Sequence, residues 1–157
     1  MAVWCWIARR RSAALRAAVG VAIAWGALSG GAQAQQAKSE PETYVLYFDF
    51  ASAKLSAKAR PIITDAAAAV ERAKSNGAFS HVKVIGYADS AGTAEGADRL
   101  SERRADAVRS ELIRDGVAPE EIKTEGRGKR EPEVNTGDQV KNPRNRRVRI
   151  VIYRPGD

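Results

Sequence analysis

The stretch GYADSAGTAEGADRLSERRA, Gly86 to Ala105, decides how this chain is read. It leaves a β-branched run, crosses a polar, glycine-spaced loop and enters a charged segment with helical periodicity. On a helical wheel of about 100° per residue, Ala97, Ser101, Ala105, Val108 and Leu112 fall in one stripe of small and apolar side chains. That stripe must face a sheet. Arg104 lies at its edge, roughly 60° from the centre, whereas Arg103 points nearly away from it. Two adjacent arginines therefore have different fates: Arg103 in solvent, Arg104 held where helix, sheet and loop meet. Asp89 stands just past the preceding strand. Gly92 and Gly96 let the loop turn tightly, and Thr93 can hydrogen-bond to its backbone. The start of a helix adds unpaired N–H groups and a partial positive charge. A cleft here presents a carboxylate on one side and a guanidinium with backbone donors on the other, which suits a zwitterion: ammonium to Asp89, carboxylate to Arg104. The alternative is that Asp89 and Arg104 pair with each other and lock loop to helix.

The rest of the chain supplies strands and a second helix around this centre. YVLYFDF from Tyr44 reads as a first strand, HVKVIGY (His81–Tyr87) as a second, EIKTEG (Glu121–Gly126) as a short third and RRVRIVIY (Arg146–Tyr153) as a fourth. Ile63, Ala66, Ala67 and Val70 form the apolar face of a first helix that Ser56 can cap. Pro61 puts the regular start nearer Arg60 or makes the first turn irregular. Gly77 and Asp115–Gly116 mark the two helix ends. The order is βαβαββ, an α/β two-layer sandwich with both helices on a mixed sheet. A loop of about 15–20 residues separates the last two strands, long enough to suggest a function.

The first 34 residues read as an address. Arg9, Arg10, Arg11 and Arg16 precede the twelve-residue apolar run Ala17–Leu28, and Ala-Gln-Ala ends at Ala34, the pattern of a cleaved signal peptide over 1–34. The run is shorter than the roughly 20 residues that span a bilayer, so no transmembrane segment is expected in the mature chain; an uncleaved anchor is the alternative. Residues 35–43 read as a linker and 44–157 as one domain. The leader holds four of the 26 basic residues and none of the 19 acidic ones, so removing it lowers the net charge from +7 to +3. Cys5, the only cysteine, leaves with it, and with it go any disulfide, thiolate-bound metal or thiol nucleophile.

Several function classes are poorly supported. His81 is the only histidine and stands at a strand start, away from any Ser-Asp arrangement, so catalysis is not expected, nor is a metal site or a cofactor. Lys141–Arg154 carries six basic and no acidic residues, but no aromatic platform or nucleic-acid motif accompanies them. That run reads as a solvated strand and loop, with Arg146 and Arg147 able to shape the cleft side of the sheet.

Four blocks, VLYFDFASAKLS, GYADSAGTAEGADRLSERRADAV, EGRGKREP and NPRNRRVRIVI, resemble in this order those of the OmpA-like C-terminal domain family, also found in peptidoglycan-associated lipoproteins and flagellar stator proteins. The resemblance covers about Tyr44–Tyr153. It implies non-covalent, non-catalytic binding of peptidoglycan in the periplasm through the diaminopimelate of the stem peptide. It assigns Asp89 to the diaminopimelate ammonium and Arg104 to its carboxylate, places Asp49 near the same cleft and packs Leu100 beside the ligand. Peptidoglycan and envelope proteins are the implied partners. The chain departs from the family pattern at Gly96–Ala97, where many members carry an aromatic-Asn pair, and at Arg149, where many carry an acidic residue. A domain that has lost the ligand and docks envelope proteins is the alternative.

Overall fold

The computed structural model describes residues 40–79 and 81–155, so the leader reading and most of the linker lie outside the described residues. Strand β1 (Glu42–Tyr47) leads to helix α1 (Ala59–Ser75), then β2 (His81–Gly86), α2 (Ala94–Arg114), β3 (Ile122–Gly126) and β4 (Arg147–Tyr153), with single 3-10 turns at Pro119–Glu121 and Pro143–Asn145. The sheet order is β1-β4-β2-β3. β4 runs antiparallel to both neighbours, pairing Leu46 with Val148 and Val84 with Ile150, and β2 runs parallel to β3 with Val82 opposite Ile122. This is the mixed βαβαββ sheet expected from the sequence.

Alternation along the strands sends Leu46, Val82, Val84, Ile122, Val148, Ile150 and Ile152 to one face, where they meet Ile63, Ala66 and Val70 of α1 and Ala105, Val108 and Leu112 of α2. The buried positions of α2 are the predicted stripe, Ala97, Ser101, Ala105, Val108 and Leu112, with Arg104 added. Ile85, Tyr87 and Val151 make a smaller cluster on the other face, with Tyr153 against it. Across that face Glu125 lies between Lys83 (2.6 Å) and Arg127 (2.8 Å).

Both helices end as their glycines require. Gly77 has φ +64°, its N–H donates to Lys74 O, and Ala78 N–H donates to Ala73 O. Gly116, at φ +101°, repeats the pattern with Ile113 and Val117–Leu112, so two Schellman motifs satisfy the last carbonyls. Helix α1 begins differently from the expectation. Ser56 does not cap it: its carbonyl accepts from Ala59 N–H (3.0 Å), and Lys58 holds the cap position without a side-chain bond. Pro61 then falls in the first turn, where no intrahelical N–H is needed. β1 starts two residues before Tyr44 and stops at Tyr47; Phe48 N–H still donates to Arg146 O (2.8 Å), and the turn toward α1 begins at Phe50.

Helix α2 lies very close to the ends of β2 and β3. A Cβ on Gly86 would stand 2.0 Å from Ser101 O, so only glycine permits this approach. Ser101, with no exposed surface, completes the junction: its hydroxyl donates to Asp98 O (2.7 Å) and accepts from Gly128 N–H (2.9 Å).

Candidate functional site

The carboxyl end of β2, the loop after β1, the start of β4 and the first turns of α2 converge at one edge of the sheet. Between them lies a cleft of about 240 Å³ bordered by Phe50, Asp89, Gly92, Thr93, Ala97 and Leu100. Thr93 caps α2, its hydroxyl accepting from Gly96 N–H at 3.1 Å, which fixes the helix start beside the cleft. Asp89 and Leu100 therefore stand where the sequence expectation put them.

Arg104 is in the expected place but plays a different part from a rim cation. Its side chain has no exposed surface. Nε donates to Ser52 O (2.8 Å), Nη1 to Tyr87 O (2.9 Å) and Nη2 to Asp49 O (3.0 Å). Three of the five guanidinium donors thus gather the β1–α1 loop and the exit of β2 onto α2, while the ring of Phe48 lies 5.3 Å from the charge. Burial pushes the Arg104 pKa down to about 10, against the attraction of Asp89. The group remains a cation at neutral pH, a fixed positive charge behind the cleft. Asp49 joins this arrangement through its main-chain carbonyl, and its side chain does not border the cleft.

Asp89 and Arg104 do not pair directly. Asp89, 4% exposed, instead meets Arg146 (Oδ2 to Nη1, 3.3 Å), and Arg146 Nε donates to Phe48 O at 3.1 Å. The alternative in which the two predicted residues lock each other is thus replaced by two linked clamps, one through carbonyls and one through a carboxylate.

The long loop between β3 and β4 contributes contacts that the sequence did not place. Gln139 N–H donates to Ser90 O (3.1 Å), and its side-chain amide both accepts from Gly92 N–H (2.9 Å) and donates to Gly92 O (3.2 Å). Ser90 Oγ donates to Gly137 O and accepts from Val140 N–H. The loop is therefore fastened to the strand–helix turn that carries Asp89. Gln139 (φ +62°) and Ala51 (φ +52°) both adopt left-handed backbone, and Ala51 lines the cleft. Such conformations cost about 1–2 kcal/mol in L-residues, and here surrounding hydrogen bonds hold them.

Residues 47–146 match the model of the OmpA family. The chain belongs to the OmpA family. It is 36% identical over 123 residues to an outer membrane protein of Gluconacetobacter diazotrophicus, covering 74% of this chain and 32% of that one. It is 30% identical over 125 residues to the peptidoglycan-associated lipoprotein of Pseudomonas aeruginosa, covering 80% and 70%. Among solved structures, the peptidoglycan-associated lipoprotein of Burkholderia pseudomallei superimposes with a TM-score of 0.62 at 27% identity, over 69% of this chain and 89% of that one. The chain thus spans about a third of the Gluconacetobacter relative.

Proposed function

We propose that this OmpA-family domain binds peptidoglycan non-covalently by taking the zwitterionic end of a diaminopimelate side chain into the cleft between Asp89 and α2. The observation that carries the reading is a nearly buried carboxylate bordering a small cleft, with a fully buried guanidinium behind it. The ligand's ammonium takes Asp89 as its partner, displacing or sharing Arg146. Its carboxylate lies toward the start of α2, where the helix dipole and the charge of Arg104 favour an anion. Leu100 and Ala97 supply the apolar wall for the methylene stem. Asp49 acts by holding Arg104 through its carbonyl. Burial of both charges strengthens these contacts relative to water.

The setting follows from the same reading. The leader over 1–34 directs export and is cleaved, and the domain acts in the periplasm, at the wall and close to the outer membrane. The relatives described above, an outer membrane protein and peptidoglycan-associated lipoproteins, support an envelope location. One feature favours the rival role of a protein-docking module: Ala97 brings a methyl group to the cleft where many OmpA-like domains carry an amide.

Co-sedimentation of the purified chain with diaminopimelate-type sacculi separates the two. Wall binding predicts retention, release by free diaminopimelate, and loss of retention in Asp89→Asn. Retention indifferent to the competitor, or unchanged in Asp89→Asn, would refute the site.

A further inference from the structure

The mouth of the cleft carries a cation that no carboxylate neutralises among the described residues. Phe50 lines the cleft yet is 48% exposed, and Val140 in the long loop is 42% exposed; with Tyr47 they are the large apolar side chains left open among the described residues. Lys141 places its Nζ 4.3 Å from the centre of the Phe50 ring. Unlike Lys74, Lys83 and Lys129, it has no carboxylate partner among the described residues. Nor is its position an accident of a loose loop, because the residues just before it are tied to Ser90 and Gly92. A cation over an exposed ring is held by only about 0.5–1 kcal/mol, so the ammonium stays free to meet an anion. Before a ligand enters, the other cations of the site are engaged: Arg104 with three carbonyls, Arg146 with Asp89 and Phe48 O.

We propose that Lys141 and Phe50 form a second subsite that receives the free α-carboxylate of the D-glutamate preceding diaminopimelate in the stem peptide. This rests on the diaminopimelate reading of the cleft. In that peptide the D-glutamate is joined through its side-chain carboxyl, which leaves its α-carboxyl either ionised or amidated. A chain leaving the cleft beside Phe50 brings that group, one residue away, to Lys141, while the ring covers the peptide's apolar atoms. The subsite makes the domain a selector for walls with the unamidated residue.

The test is calorimetric titration of the intact chain with two synthetic tripeptides, L-alanyl-γ-D-glutamyl-diaminopimelate and its D-isoglutaminyl counterpart. The ionised form should bind about two- to fivefold more tightly, the range for an exposed charge pair. The preference should vanish in Lys141→Gln and shrink at about 0.5 M salt as screening shortens the reach of the charge. Equal affinities for the two tripeptides, or a preference that survives in Lys141→Gln, would overturn the subsite and leave the cleft assignment standing. If neither tripeptide binds and free diaminopimelate does not compete for sacculi, the cleft assignment falls and the subsite with it.

Discussion

Replacing Arg104 by lysine tests whether this arginine is primarily a fastener of loops. The three carbonyls it serves differ in setting. The bond to Tyr87 O is fully buried, whereas those to Asp49 and Ser52 are partly so. Leaving a buried carbonyl without a donor costs about 1–3 kcal/mol, and losing a bond that water can replace costs about 0.5–1.5 kcal/mol. A lysine ammonium is compact and lacks the planar fork, so it reaches one carbonyl well and abandons the other two. The loss is then about 2–3 kcal/mol, or roughly 10 °C in melting temperature for a domain of this size. Urea unfolding followed by circular dichroism gives the free energy. Hydrogen exchange should show faster opening of residues 49–52, with the centre of α2 unchanged. A loss below about 0.5 kcal/mol with unaltered exchange in that loop would show that the carbonyl clamp does not hold the site together.

Three further outcomes follow from other parts of the fold. Ser101→Ala removes the acceptor of Gly128 N–H inside the α2–β3 junction and should cost about 1–3 kcal/mol in urea unfolding; a neutral result would mean the junction relaxes. Tyr87→Phe deletes a buried hydroxyl that has no hydrogen-bond partner among the described residues and keeps the ring beneath Arg147. It should leave stability within about 1 kcal/mol or raise it, and a larger loss would reveal a partner for the hydroxyl. Glu125 has its pKa lowered from 4.5 to about 2 by hydrogen bonds from Arg127 and Lys83. A depressed carboxyl contributes stability that is complete above pH 4.5 and fades as pH falls toward 2. The melting temperatures of the native chain and Glu125→Gln should therefore differ at pH 6 and converge near pH 2; a constant gap would exclude the ion network as its source.

Much of this fold was legible because its signals are local. The α2 stripe needs only a helical period, and it separated buried Arg104 from exposed Arg103 correctly. Gly77 and Gly116 announced their Schellman ends because a left-handed residue after a helix favours glycine. Ser56 misled because capping potential says nothing about whether the chain turns first, and here it does. The site divided in the same way. Asp89 and Leu100 border the cleft and Arg146 lies on its side of the sheet as expected, but the Arg146–Asp89 and Gln139–Gly92 pairings span 57 and 47 positions of sequence. Periodicity carries no information over such separations. The side-chain amide of Gln139 works against the backbone of Gly92, a pairing no residue pattern marks. The location of Arg104 was readable, but the three carbonyls its guanidinium serves depended on how two loops bend.

The pairing of β1 with β4 has a directional consequence. Glu42 stands opposite Ile152 and His81 opposite Tyr153, whereas Tyr47 and Gly86 approach the first residues of β4. Entry to the domain and departure from it share one pole, and the mouth beside Asp89 opens at the other, about 20 Å away along six-residue strands. Any tether attached before β1 or after β4 therefore pulls on the pole remote from the cleft. Load enters through β1 or β4, which lie side by side and antiparallel, and the cleft opens at their opposite end.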